Sequence, residues 1–297
     1  MSVETFEIVW KNHLIFERKK TYEISKFILS NMEGLMPLYS REKKRLIAYA
    51  EENGIYQNIM ISLRNQLRSQ KEKDMVVKFE SFVDSIKDRF INGFIPRLGK
   101  ETDIRTNVLN FYSSFKIPPH FIFKTIKDLP EFIALDETTR NSLERPVKDQ
   151  TKMEMETKAN ANKYETDFAL WLKKVNIIEG KNFSTEKTIK EKKLHKLTPD
   201  FLFETPIIIS LDDKKHNIHW IDVKNYFLGD IQLITDKLKE QSKKYNETFG
   251  NGAFVFHYGL TSGIIIPNTL ILDGSFIRYY EETIDDNMTQ QSRVYID

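Results

Sequence analysis

Two acids and a lysine in the second half of the chain have the types and the spacing of a divalent-cation site. Asp200 stands at the start of one apolar run, and Asp222 and Lys224 lie two residues apart at the end of the next. Residues two apart on a strand point to the same face of a sheet, so Asp222 and Lys224 share a face. Mg²⁺ takes oxygen ligands and usually keeps waters and a substrate phosphate beside one or two carboxylates. The pattern therefore predicts a Mg²⁺ (or Mn²⁺) site with a lysine beside it.

The stretch from Thr198 to Lys224 is predicted to be the β-hairpin that positions these three residues. Two strand-like runs are separated by a polar segment, residues 212–217, which indicates a turn between antiparallel strands. The hairpin brings the start of its first strand beside the end of its second. Asp200 is thereby expected to meet Asp222 and Lys224.

Pro199-Asp200, followed across the hairpin by Asp222-x-Lys224, resembles the signature of the PD-(D/E)-x-K nuclease superfamily. The flanking residues are similar to the codanin-interacting nuclease family, a eukaryotic family that is itself similar to archaeal Holliday-junction resolvases. The similarity is carried by Thr198-Pro199-Asp200-Phe201, His219-Trp220-Ile221, Tyr226-Phe227, Gly229-Asp230, Leu238, Gln241, Tyr245, Phe249-Gly250, Gly252 and Tyr258-Gly259. It covers Tyr164 to Leu260 and is faint over the first half of the chain. Leu228, which separates Phe227 from Gly229, departs from the family pattern.

The resemblance implies a metal-dependent nuclease that hydrolyses phosphodiester bonds in DNA, with structured or branched DNA as substrate and a homodimer as the assembly. The implied catalytic set is Asp200, Asp222, Lys224, Glu165 and Gln241. The implied metal ligands are Asp200, Asp222, the backbone carbonyl of Val223, and Glu165. In this scheme Lys224 orients the attacking hydroxide and contacts the phosphate, and burial near a cation is expected to lower its pKa.

Other interpretations stay open. Glu165 can also be interpreted as an ordinary surface glutamate near the start of a helix, where the helix dipole favours an acid. Gln241 can be interpreted as an exposed glutamine on a helix. For the whole chain, the alternative is a nuclease-fold binding protein that acts through a codanin-like partner in chromatin assembly. A third interpretation is a helical adaptor whose second domain is a scaffold.

Composition limits the class of protein. The 297 residues carry a formal charge of +2 and include no cysteine, which excludes disulfides and thiolate metal sites. The absence of cysteine favours the nucleus and the cytoplasm over an oxidising compartment. The N-terminus lacks the pattern of a secretory signal, and no apolar run approaches the length of a membrane span.

The order of the predicted elements gives an α+β or α/β chain with three parts. Residues 1–145 are predicted to form an all-α domain, which begins with a helical pattern from Val3 to Asn31. Residues 146–283 are predicted to form an α/β nuclease-like domain with a mixed central sheet, in the order helix-strand-strand-helix-strand. Residues 284–297 are a polar tail.

Three segments have two interpretations each. Residues 101–135 indicate helix-turn-helix, which either contacts DNA through Lys116, Lys124 and Lys127 or packs in the helical core. Residues 137–161 are polar and contain a proline, so they form either a linker or a helix that runs into the second domain. The basic run 187–196 is either a solvated loop or a phosphate contact beside Asp200.

Overall fold

The protein is described by a computed structural model that covers residues 6–99 and 103–277. Within these ranges it combines α-helices with a mixed central sheet, as the sequence predicts at that level. The described residues fall into two compact units. We call residues 6–24 together with 159–277 the sheet unit, and residues 25–158 the helical unit.

The elements are numbered in chain order. The helices are α1 (Arg18–Asn31), α2 (Ser40–Glu52), α3 (Gln57–Val76), α4 (Val83–Asp88), α5 (Ile104–Ser113), α6 (Pro119–Ile126), α7 (Pro130–Ile133), α8 (Glu137–Lys174), α9 (Glu186–Glu191) and α10 (Gln232–Phe249). The strands are β1 (Glu7–Val9), β2 (Ile15–Phe16), β3 (Phe183–Thr185), β4 (Phe201–Leu211), β5 (Lys214–Lys224), β6 (Gly252–Phe256), β7 (Leu260–Thr261) and β8 (Thr269–Asp273). Short 3₁₀ and π segments occupy Phe79–Phe82, Arg89–Phe94 and Ile95–Arg97.

The main sheet has the order β1-β4-β5-β6-β8, with β3 also paired to β4. The β4–β5 and β3–β4 pairs are antiparallel, whereas β1–β4, β5–β6 and β6–β8 are parallel. A bulge in β4 between Leu202 and Ile207 separates the part that pairs with β3 from the part that pairs with β1. A separate parallel pair joins β2 to β7.

The hairpin of β4 and β5 is confirmed, but its turn is shorter than predicted. Only Asp212 and Asp213 lie in the turn, and both have positive φ, 49° and 61°. Aspartate tolerates this left-handed conformation, which suits a two-residue hairpin turn. Residues 214–217, predicted as loop, continue β5, and Lys214 pairs with Leu211. Their polarity reflects exposure at the outer end of the strand.

Alternate residues of β5 enter two different cores. Ile221 and Val223 are buried in a cluster with aromatic side chains of α8, among them Phe168. Trp220 lies in the other cluster, which includes Tyr245 of α10. This period of two places α8 and α10 against opposite faces of the strand. Asp222 and Lys224 consequently lie on the α10 face.

The N-terminal segment was predicted to be helical, but its first described residues form strands. Residues 6–16 contribute β1 and β2, and a helix begins only at Arg18. The indole nitrogen of Trp10 donates to the carbonyl of Asp273, 3.0 Å away, and the Asp273 carboxylate accepts from the amides of His13 and Leu14. The predicted domain of residues 1–145 is therefore wrong at its start, because these strands pair with segments about 200 and about 245 residues further along the chain.

The helical unit contains helices and turns, and no strand lies in its described residues. The segment 137–161 takes the second of its two interpretations, since α8 runs through it with Pro146 inside the helix. The predicted domain boundary near residue 146 thus falls within α8, which crosses from one unit to the other. Arg64 and Glu42, both almost fully buried, form an ion pair of 2.8 Å in this unit.

The segment predicted as helix-turn-helix forms α5 and α6. The core of the helical unit contains Val108, Phe111 and Tyr112 of the first helix and Ile122 and Ile126 of the second. These apolar residues therefore pack in the helical core, as the second interpretation of this segment predicts. Contact with DNA through the exposed lysines of the segment stays a prediction.

Two remaining predictions concern a membrane span and the C-terminal tail. Among the described residues, no helix is both long enough and apolar enough to cross a membrane. The predicted tail 284–297, and the last residues of the predicted nuclease domain, lie outside the part of the chain that the structure describes.

Candidate functional site

The hairpin brings Asp200 to the end of β5. Asp200 immediately precedes β4, and the first residue of β4, Phe201, pairs with Ile221. The Asp200 carboxylate oxygen Oδ2 accepts a hydrogen bond of 2.7 Å from the amide of Val223. Asp200 is thus attached to the backbone between Asp222 and Lys224, and the three predicted residues lie together.

Asp222 is held by two side chains. It is 3% exposed, and its Oδ1 forms an ion pair with the Lys224 ammonium. Its Oδ2 accepts from Gln241 Nε2 at 2.7 Å, while Gln241 Oε1 accepts from Lys224 Nζ at 3.1 Å. The orientation of the amide follows from chemistry, because a carboxylate only accepts and an ammonium only donates. Gln241 therefore bridges the acid and the lysine.

Two acids of the site, Asp200 and Glu165, have a raised pKa. Burial raises the pKa of Asp200 well above its usual range and Asp222 raises it further, although Lys224 and the Val223 amide act in the opposite direction. Burial also raises the pKa of Glu165, as do the nearby charges of Glu186 and Asp222. The site concentrates negative charge that a cation would offset.

Among the side chains of the site the pKa of Lys224 is raised; the lower pKa was predicted for a lysine beside a bound cation and stays a prediction. Burial alone would lower it, but the charge and hydrogen bond of Asp222, together with Tyr226 and Asp200, raise it above the usual lysine value. The side chain is 17% exposed, and its ammonium lies 5.3 Å from the centre of the Phe254 ring. Lys224 is therefore a cation at neutral pH in this arrangement.

Glu165, on α8, is half-buried and lies within electrostatic reach of Asp222 and Lys224. Of the residues in the two described ranges, no three His, Asp or Glu side chains are grouped closely enough to hold a metal ion. Mg²⁺ commonly takes only one or two protein carboxylates. Asp200 and Asp222 supply two, with Glu165 nearby, so the donor chemistry fits a hydrated Mg²⁺ or Mn²⁺.

Glu186, at the start of α9, is a neighbour of the site that the sequence did not reveal. Its amide donates to the carbonyl of Asp200 at 3.0 Å, and its Oε1 accepts from the Thr198 hydroxyl at 3.1 Å. The same carboxylate pairs with Lys190 at 2.6 Å. Glu186 precedes a lysine-rich run, and only the fold shows that it lies beside Asp200.

The basic run is partly helical. Its lysines are exposed, whereas Ile189 is fully buried and anchors α9. Lys190 is among the charges that affect the pKa of Glu165, so this segment borders the acids. Contact between its lysines and phosphate groups stays a prediction.

Leu228, the departure from the family pattern, has a structural role. It is fully buried, donates its amide to the carbonyl of Gly259 at 3.0 Å, and accepts from the amide of Thr261 at 2.9 Å. The extra residue after β5 thus extends backbone pairing towards β7.

Comparisons with known proteins give similarity without an assigned activity. Residues 133–275 match a family described as "Protein of unknown function TPD sequence-motif". The chain contains the sequence Thr-Pro-Asp within that region, at Thr198-Pro199-Asp200. It is 36% identical over 271 residues to "Uncharacterized protein L539" of Acanthamoeba polyphaga mimivirus, covering 91% of this chain and 96% of the viral protein. No solved structure matches the chain.

Proposed function

The chain belongs to the family that includes the uncharacterized mimivirus protein L539, and from this premise we propose that its sheet unit is a metal-dependent nuclease that hydrolyses phosphodiester bonds in DNA. The observation that carries the proposal is the grouping of Asp200, Asp222 and Lys224 at adjoining strand ends, with Gln241 bridging two of them. Two acids beside a lysine are the residue types that metal-assisted attack on a phosphate requires.

The order of elements around the site supports the resemblance to the PD-(D/E)-x-K superfamily. Helix α8 is followed by the antiparallel hairpin of β4 and β5, and then by α10 and the parallel strand β6. The residues that resemble the superfamily signature lie at the two strand ends that this order brings together. We extend the proposal to this nuclease fold on these grounds.

The chemistry divides among the residues by charge. Asp200 and Asp222 would hold a Mg²⁺ or Mn²⁺ ion, with Glu165 and the Val223 carbonyl as further oxygen donors. When bound, such an ion offsets phosphate charge and lowers the pKa of a water. Lys224, cationic at neutral pH, contacts the phosphate and orients the attacking water. Gln241 holds Lys224 and Asp222 at a fixed separation.

The substrate proposal comes from resemblance and from surface charge. Similarity to junction resolvases favours branched DNA and a homodimer, since two symmetric cuts require two sites. The exposed lysines of the basic run would contact phosphates without reading sequence.

A cleavage assay tests the proposal. Wild-type protein is incubated with branched and linear DNA in Mg²⁺, Mn²⁺ or EDTA, beside Asp222→Asn and the control Asp236→Asn, which alters an exposed acid on α10. We expect metal-dependent cleavage by the wild type and the control and at least a 100-fold loss in Asp222→Asn. Equal cleavage by Asp222→Asn would refute the assigned site.

One observation favours a second candidate, a nuclease-fold binding protein that acts through a codanin-like partner. Lys224 and Gln241 already satisfy both oxygens of Asp222. This candidate predicts that the wild type binds DNA or its protein partner but cleaves neither DNA form in any metal. Gel shifts run beside the cleavage assay separate the two functions.

A further inference from the structure

We propose that Thr198 and Tyr245 are positioning residues that hold the segment before β4 so that the Asp200 carboxylate faces Asp222. The inference rests on the proposed function, because it concerns how the same acids are arranged to bind a metal. Neither residue has a role in the predicted catalytic set. Both act through Asp200, by hydrogen bonds to the backbone and side chain of the segment that leads into it.

Asp200 needs such support because of where it lies. It is in a bend just before β4, so the strand ladder begins only at the following residue. Its carboxylate also lies near the like charge of Asp222. Repulsion between two acids favours their separation. Hydrogen bonds to the backbone that precedes Asp200 oppose that separation.

Tyr245 links the two sides of the site from α10. Its hydroxyl donates to the carbonyl of Thr198 at 3.2 Å and accepts from Gln241 Nε2 at 3.2 Å. The directions are fixed, because the carbonyl only accepts and the amide nitrogen only donates. Gln241 in turn donates to Asp222. One hydroxyl therefore connects the start of β4 to the end of β5.

The ring of Tyr245 is itself fixed. The residue is 8% exposed, and the ring packs edge-to-face on Trp220 at 5.0 Å between centroids. It follows Gln241 by one helical turn, which places both side chains on one face of α10. The packing of the ring thus fixes the position of the Tyr245 hydroxyl.

Thr198 is held a second time through its side chain. Its hydroxyl donates to Glu186 Oε1 at 3.1 Å, and the Glu186 amide donates to the carbonyl of Asp200 at 3.0 Å. Tyr245 from α10 and Glu186 from α9 consequently fix three groups of the Thr198-Pro199-Asp200 segment. Pro199 adds stiffness, because its ring restricts the backbone between them.

Two single-hydroxyl deletions test the inference. Tyr245→Phe and Thr198→Val each remove one hydroxyl and keep the shape of the side chain. Thr198→Ser retains the hydroxyl and serves as the rescue. Tyr112→Phe is the matched control, because it removes a buried hydroxyl that donates to a backbone carbonyl, Leu143, in the helical unit.

The readouts are Mn²⁺ affinity by calorimetry, kcat and KM for DNA cleavage, and the melting temperature in EDTA. We expect Tyr245→Phe and Thr198→Val to lose about 10-fold or more in both Mn²⁺ affinity and kcat, the range seen when supports of metal ligands are removed. KM for DNA should stay within about twofold, because phosphate contacts are spread over a wide surface. Thr198→Ser should match the wild type, and Tyr112→Phe should lower only the melting temperature.

Each outcome decides the inference. Wild-type Mn²⁺ affinity and kcat in both Tyr245→Phe and Thr198→Val would overturn it, as would equal losses in Thr198→Ser and Thr198→Val. If Tyr245→Phe fails to fold, the comparison of Thr198→Val with Thr198→Ser decides alone. Wild-type protein that neither binds Mn²⁺ nor cleaves DNA would overturn the proposed function and this inference with it.

Discussion

Replacing each acid of the site by asparagine should change stability in opposite directions in metal-free protein. Asp222 neutralises Lys224, whose side chain is only 17% exposed. Removing one partner of a buried ion pair costs about 3–5 kcal/mol, and asparagine keeps one acceptor oxygen, so we expect Asp222→Asn to cost about 3 kcal/mol. At about 2–4 °C per kcal/mol for a domain of this size, the melting temperature should fall by about 6–12 °C.

Asp200→Asn should instead raise the melting temperature in EDTA. Burial and the charge of Asp222 raise the pKa of Asp200 in the folded protein, so its ionisation opposes folding. With a raised pKa, stability is lost as the pH rises above the usual carboxyl value and towards the folded one. The asparagine variant avoids that loss and can still accept from the Val223 amide. Its advantage should therefore be present at pH 7 and disappear as the pH falls below the usual carboxyl pKa.

Saturating Mn²⁺ should raise the stability of the wild type above that of both variants. A ligand at 100 times its Kd stabilises the folded state by about 2.7 kcal/mol, and each variant lacks one ligand charge. The assay is differential scanning fluorimetry in EDTA and in Mn²⁺, at pH values from about 3 to about 8, a range that begins below the ordinary aspartate pKa of about 3.9. If both variants shift in the same direction in EDTA, our account of the site's charges is wrong.

Three further substitutions test other parts of the structure. Lys224→Ala should abolish cleavage, measured on branched DNA, yet retain or strengthen Mn²⁺ binding by calorimetry, because it frees the carboxylate that this lysine now occupies. Glu42→Ala should lower the free energy of unfolding in urea by about 3–5 kcal/mol, because it leaves the guanidinium of Arg64 buried without its acid. Gly252→Ala should cost about 3 kcal/mol in the same experiment, since a Cβ there would lie 2.0 Å from an indole carbon of the fully buried Trp220.

Matched variants control these experiments. Glu33→Ala removes an acid whose partner Arg45 is about one-third exposed, so it should cost at most about 1 kcal/mol. A loss equal to that of Glu42→Ala would show that burial is not the cause. Gly93→Ala adds a Cβ where nothing lies within 4 Å, and a penalty matching that of Gly252→Ala would contradict the steric explanation.

The hairpin and α10 were predictable because their signals are local. Two strand-like runs with a polar break between them mark β4 and β5, whose side chains alternate between two faces, and α10 is the helix that follows them in the predicted order. The same alternation placed Asp222 and Lys224 on one face. The predicted hairpin was therefore enough to place Asp200, Asp222 and Lys224 together. Their catalytic roles stay predictions.

Other features depend on contacts that no local pattern encodes. β1 has three residues and β2 has two, too few for a period, and both pair with distant strands. β7 is equally short, and Ile266 makes only an isolated bridge, to Thr269. Glu186 was hidden for the same reason, because its partner Thr198 is 12 residues away across a loop.

The discontinuous sheet unit has a consequence for synthesis on the ribosome. The strand Glu7–Val9 leaves the exit tunnel before its partner, Ile208–Ser210, which follows about 200 residues later. At about 5–20 residues per second, the first strand waits about 10–40 seconds for that partner, while the whole helical unit emerges between them. A nascent chain stalled before residue 208 should therefore show protease-resistant helices and an accessible N-terminal strand.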